Sequence, residues 1–229
     1  MKTLLPRIAL CLVPLLATSC SGETTHPGGS ASLAKDYPIE LLEGFAVEAL
    51  EAVRAILPTE VESVSIRFVE SAEMEEILLG ELRPQMAMQF EDAEVAEKTA
   101  VTMASAMEKG LIAKTVVETG EIVVVRENLF QLAELLGEPA LATEQALKAV
   151  IVHEVVHVID NHADPLGELF GTAQDADGLQ AINAVIEGHA QFIARQANRA
   201  MGNSDAFELF TKAIGMVPPS EDPIELYMS

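Results

Sequence analysis

The stretch from Ala146 to Asp160 constrains this chain more than any other. Its apolar residues recur at helical spacing, and His153, Glu154 and His157 interrupt the apolar surface they make. Histidines four apart on a helix lie about one turn from each other and project from one face. Two imidazoles so placed can close on one Zn²⁺, and a carboxylate one residue past the first can reach a water on that metal without being a ligand. A half-exposed helix with two polar histidines is the plainer account. The valines and isoleucines around the three residues argue against it, because histidine or glutamate on a core-facing helix is costly unless paired or metal-bound.

His153-Glu154-Val155-Val156-His157 resembles the zincin metallopeptidase motif. One zincin group takes its third ligand from a histidine six residues after the second, with a glycine at the third; here those positions are Ala163 and Asp160. Another uses the aspartate of Gly-Thr-x-Asp, and Gly171-Thr172-Ala173-Gln174-Asp175 is one residue too long. Glu187-Gly188-His189-Ala190, inside the helix-like run Gln180 to Gln191, resembles the Glu-Gly-x-Ala segment of the gluzincins, which include thermolysin-like enzymes and metalloaminopeptidases. The resemblance covers roughly Ala146 to Ala190. It implies a zinc site of His153, His157 and Glu187, with Glu154 as general base for hydrolysis of a peptide or protein substrate. Two features depart from the family: twenty-nine residues separate His157 from Glu187, and Gln191 stands where an aspartate often orients a ligand histidine. Asp160, on the stripe of His153 and His157, is the substitute candidate to accept an imidazole N–H.

Gly188, lacking a side chain, is expected to let the two metal-bearing helices approach closely. Residues two apart on a helix do not share a face, so Glu187 and His189 should not both bind one ion. His189 is then an outer residue of the site, a transition-state donor or a satisfied core histidine, and the last is favoured. His162, near a helix end, fits a favourable dipole interaction.

The N-terminus reads as a lipoprotein signal peptide over residues 1–19. Lys2 and Arg7 precede a short apolar core, and Leu16-Ala17-Thr18-Ser19-Cys20 resembles a bacterial lipobox. Cleavage would leave Cys20 to carry acyl chains that anchor the protein to a membrane of the bacterial cell envelope; simple secretion is the alternative. Residues 20–36, rich in Ser, Gly, Thr and Pro, read as a tether, and residues 37–229 as the domain. The two cysteines, Cys11 and Cys20, both precede that domain, so its only ligand types are histidine and carboxylate. The formal charge of −22 becomes −24 once Lys2 and Arg7 are removed, which argues against a nucleic-acid partner. Nothing in the chain sets an oligomeric state.

The expected class is α+β, a mostly helical zincin-like domain with a small sheet or hairpin before the motif helix. Spacing predicts helices over 38–56, 72–79, 93–109, 127–136 and 205–214, and a strand over 61–69. Thr119-Gly120 divides a hairpin of 115–118 and 121–125, and Ile122 to Val125 is the candidate edge strand to which a peptide could add, an ordinary core strand being the alternative. Thr143 is the expected N-cap of the motif helix, residues 164–178 a loop or short helix at the site's rim, and the methionines core filler. Two rival readings stand beside the peptidase: a catalytically inactive zincin-fold binding lipoprotein, and a non-enzymatic metal-binding one. Glu154 argues against the first, since binding alone needs no base there. The chain shows no exposed-loop His cluster or Met tract to favour the second.

Overall fold

Residues 33–173 and 175–214 are described by the computed structural model. The expected leader with Cys20, most of the expected tether, Pro218-Pro219 and Tyr227 lie outside the described residues. Leu33, ahead of the expected start of the domain, is already 5% exposed, and its N–H donates to the Ala142 carbonyl. The ordered domain therefore begins before residue 37.

Helix α1, Ile39–Arg54, buries Leu42, Phe45, Ala46, Ala49, Leu50 and Val53, a stripe at the spacing of one helix face. A three-residue strand β1, Ile66–Phe68, follows. Helix α2, Ser71–Gln89, runs well past the expected stop at residue 79, through Gly80 and Pro84. Its buried residues, Met74, Leu78, Leu82 and Met86, continue at four-residue spacing across that point. Gly80 and Pro84 are both exposed, so the carbonyl that Pro84 leaves without a helical partner faces water. Helix α3, Ala93–Glu108, starts where Asp92 accepts from the amides of Glu94 and Val95. Met86 and Met103 fill the core, whereas Met88 is exposed.

Strands β2, Ala113–Thr115, and β3, Ile122–Val124, form a hairpin around Thr119-Gly120 as expected, but its first strand lies earlier than the expected 115–118; Lys114 stands opposite Val123 and Gly120 has a φ of 68° in the loop. Strand β1 pairs with β3 in parallel, giving the order β1-β3-β2. This overturns the reading of Ile122 to Val125 as an edge strand. All four side chains are fully buried, Ile122 and Val124 in one apolar cluster, Val123 and Val125 in the other. An unbroken β-branched run marks a strand covered on both faces, where an edge strand would alternate with polar residues.

Helix α4, Arg126–Leu136, ends at Gly137 with a φ of 64°. A 3-10 turn, Pro139–Leu141, leads to α5, Glu144–Ala163, whose first turn is capped by the Thr143 hydroxyl accepting from the Ala146 amide. The short α6, Leu166–Phe170, the long α7, Ala176–Ala200, and α8, Ser204–Ile214, complete the order. The domain is thus α+β, with helices dominant around a three-stranded sheet. Helices α2 and α3 cover one side of the sheet; α1 and α5 lie on the other, with α7 and α8 packed outside them. Helix α5 is buried almost all round, the expected state of a helix apolar on every face. No described helix is long and apolar enough to cross a membrane.

Candidate metal centre

Because α5 runs through the core, its polar residues need partners. Residues His153 and His157 turn their Nε2 atoms toward each other at 3.1 Å, with the rings edge to face at 87°. Helix α7 brings Glu187 over the pair: Oε2 lies 3.3 Å from His153 Nε2, and Oε1 lies 3.5 Å from His157 Nε2. One donor atom from each of the three residues falls within 4.8 Å of the others. A tetrahedral ion with bonds of about 2.0–2.1 Å spaces its ligand atoms about 3.3–3.4 Å apart. The nearest approaches of 3.1, 3.3 and 3.5 Å are close to that spacing, the two from Glu187 falling on different carboxylate oxygens, and two nitrogens with one carboxylate is a donor set zinc accepts. Glu187 is 51% exposed while His157 is 10% exposed, so the cluster has a dry side on α5 and a wet side on α7.

The electrostatics follow from this geometry. Burial disfavours a charged His157, yet hydrogen bonding to Glu187, together with the Glu187 and Glu154 carboxylates, holds its pKa above the usual imidazole value; Lys114 opposes this. Although half of the Glu187 side chain faces water, the atoms packed around its carboxylate oppose its charge; hydrogen bonds from His153 and His157 outweigh this and hold it well below the usual carboxylate range. Without a metal, the cluster thus favours a protonated imidazole against a carboxylate.

Glu154 is buried and not among the three converging donors. Its Oε2 accepts from the Thr115 amide at 2.7 Å and lies 3.0 Å from the Thr115 hydroxyl, which is also 2.9 Å from the Glu154 carbonyl. Thr115 went unnoticed in the sequence because it lies 39 positions away and carries no motif; only the hairpin brings it to α5.

The remaining site candidates separate. Asp160 does not take an N–H from His153 or His157; it bonds His189 Nδ1 at 2.9 Å, and His153 Nδ1 is buried without a partner. The side chain of His189 is 40% exposed, so it is not a core histidine: Asp160 draws it toward α5, on the rim of the helix pair. The expectation of a close approach at Gly188 also fails, since a Cβ there would meet nothing within 4 Å. Ala190, Ala194 and Ala197 of α7 are instead the fully buried small residues of that helix, in the core cluster it shares with α5 and α1. Asp175 caps α7 by accepting from the Gly178 amide at 2.7 Å, a structural use for that aspartate. His162 is exposed in the last turn of α5, consistent with the dipole reading.

The sheet edge beside the site is β2. The amide of Val116 and the carbonyl of Ile112 bond β3, so the backbone of Thr115 and Val117 points away from the sheet. Three of those outward groups are occupied: the Thr115 amide by Glu154, the Val117 amide by Glu81 and the Val117 carbonyl by Asn161; the Thr115 carbonyl takes no hydrogen bond among the described residues. A groove of about 860 Å³ lies against Val116 and Val117 between α2 and α6, and includes none of His153, His157 and Glu187. Comparison of the chain with family models, curated proteins and solved structures found no match.

Proposed function

We propose that this protein is a zinc-dependent peptidase of the zincin type, anchored to a membrane of the bacterial cell envelope through Cys20. The observation that supports the reading is the convergence of His153, His157 and Glu187, one donor atom from each within 4.8 Å of the others, with Glu154 next to His153 on α5. Bound zinc supplies Lewis-acid polarisation of a peptide carbonyl and lowers the pKa of a water toward neutrality. Glu154 accepts the proton of the attacking water and returns it to the leaving amine. Burial around α5 keeps bulk water from His157 and Glu154, while the exposed side at Glu187 admits the substrate.

A second reading has one observation in its favour. Both groups that hold the Glu154 carboxylate fall on Oε2, as they would for a structural carboxylate in a zinc-binding protein without hydrolytic activity. One series on the full chain separates the two. Purified protein is expected to hold one zinc and to cleave an unstructured protein such as casein, and Glu154→Gln to keep the zinc and lose activity by roughly 10²–10⁴-fold, the span of general base catalysis. Zinc without cleavage by the unaltered protein supports the second reading; cleavage that survives Glu154→Gln removes the mechanism. Anchoring is tested by lipid labelling of the expressed chain, which Cys20→Ala should abolish.

A further inference from the structure

Strand β2 is an edge strand whose outward side is partly tied down. The Thr115 amide bonds Glu154, just past the strand the Val117 amide and carbonyl bond Glu81 and Asn161, and the Lys114 side chain reaches back to Glu81 at 2.7 Å. The strand is thus tied at successive positions to the helices beside it. The tie at Thr115 differs from the others, because it ends on the residue assigned as general base.

We infer that Thr115 is the positioning residue of Glu154, fixing one carboxylate oxygen and leaving the other without a protein partner. The inference rests on the peptidase reading above. Three contacts carry it. The amide of Thr115 donates to Oε2 at 2.7 Å, a short charge-assisted bond. The hydroxyl lies within 3.0 Å of the same oxygen. That hydroxyl is also 2.9 Å from the Glu154 backbone carbonyl, so its single proton is shared between the helix and the carboxylate it carries. Among the described residues Oε1 accepts no hydrogen bond, which leaves it free to take a proton. Thr115 is 5% exposed and Glu154 8% exposed, so water does not replace these contacts if they are lost.

A glutamate has three rotatable side-chain bonds, and a base that wanders loses rate in proportion to the time spent out of reach. A backbone amide in a hairpin is a more rigid anchor than a side chain. Serine or threonine adds the hydroxyl, and valine keeps the shape without it. The residue touches neither substrate nor metal in this role; it acts through Glu154.

The test uses the zinc-loaded full chain and a fluorogenic peptide. Thr115→Val keeps the shape and the amide but removes the hydroxyl, and is expected to lower kcat roughly ten- to a hundredfold, the effect of losing a hydrogen bond to a charged group. KM and zinc content should stay within about twofold, since the substrate and metal contacts are untouched. Thr115→Ser restores the hydroxyl and is expected to recover most of kcat. Should Thr115→Val not fold, Thr115→Ala against Thr115→Ser gives the same comparison. Wild-type kcat in the valine variant overturns the inference, as does equal loss in the serine and valine variants, or a change confined to KM. An unaltered, zinc-loaded protein that hydrolyses nothing overturns the peptidase reading and this inference together; a hydrolysing one with an unimpaired valine variant overturns the inference alone.

Discussion

Asp160 of α5 and His189 of α7 are joined through Oδ2 and Nδ1 at 2.9 Å, three residues past His157 and two past Glu187. The bond ties together the two helices that supply the donors without touching any donor. Asp160 is 15% exposed and His189 40%, so the contact is partly screened. Asp160→Ala is expected to lower stability by about 1 kcal/mol in urea unfolding. Zinc affinity should fall by less than about tenfold, whereas removing a direct hydrogen-bond partner of a ligand typically costs 10- to 100-fold. A drop beyond that range in isothermal titration would return Asp160 to the role of orienting His153 or His157.

The proton and the metal compete for the same nitrogens, which fixes how zinc should act across pH. A His157 pKa raised above the usual imidazole value gives the metal-free protein stability that is present below about 6.5 and lost as pH rises through the raised value. Zinc requires the neutral imidazole, so its binding expels that proton and strengthens with pH. The gap in Tm between zinc-loaded and chelated protein is therefore expected to widen between about pH 6 and pH 8. At zinc about 1,000-fold above Kd the gain is about 4 kcal/mol, on the order of 10 °C for a domain of this size. His157→Ala and Glu187→Gln should each narrow the gap sharply. A gap that is constant with pH, or unaffected by these variants, would place any bound zinc elsewhere.

The parts of this arrangement that sit on one helix were legible in the chain. The stripe of α1, the Thr143 cap, the stop at Gly137 and the facing pair His153 and His157 each follow from local spacing or from one residue's backbone preference. Glu187 was reachable through a short resemblance, because its own helix was recognisable. What depends on pairing in space was not. Ile122 to Val125 has the composition of any buried strand, and only the parallel partner β1, fifty-six residues earlier, makes β3 central. Similarly, Asp160 lies on the ligand stripe of α5 and was assigned to its own helix, whereas the partner it takes comes from α7. Thr115 had no signal at all. At α2 the local rule was applied where burial overrode it: Gly80 and Pro84 are helix-breaking residues, but both face water while Leu78, Leu82 and Met86 hold the helix to the core.

Tyr37 gives a stability test away from the metal. Its ring packs edge-on against Phe68 at 5.3 Å and lies 5.4 Å from the Arg126 guanidinium, and the residue is 2% exposed. Its hydroxyl is buried without a hydrogen-bond partner. Burial pushes the phenol well above its ordinary pKa, against the pull of Arg126. Tyr37→Phe keeps the packing and removes the unpaired group, so it is expected to be neutral or to stabilise by up to about 1 kcal/mol. The pH signature is distinct. A raised phenol pKa means stability present below the ordinary value of 10.0 and lost above it, as the unfolded chain ionises first. The parent protein should therefore lose stability more steeply above pH 10 than the phenylalanine variant, and parallel curves in alkaline unfolding would show the hydroxyl to be paired or exposed.

Gly188 separates two accounts of how α5 and α7 come together. Were the glycine needed for close approach, any side chain there would push Glu187 away from His153 and His157 and cost both stability and metal. The position is instead exposed, in the interior of a long helix, with nothing within 4 Å of a built Cβ. A helical glycine in that setting carries only the entropic penalty of its own freedom, about 0.5–1 kcal/mol relative to alanine. Gly188→Ala is thus expected to stabilise the domain by about that amount, raising Tm by a few degrees, with zinc stoichiometry and affinity unchanged. The same substitution at Gly120 serves as the contrast, because its φ of 68° is one that alanine adopts only with strain of about 1–2 kcal/mol. A destabilised or metal-poor Gly188→Ala protein would restore the close-approach account.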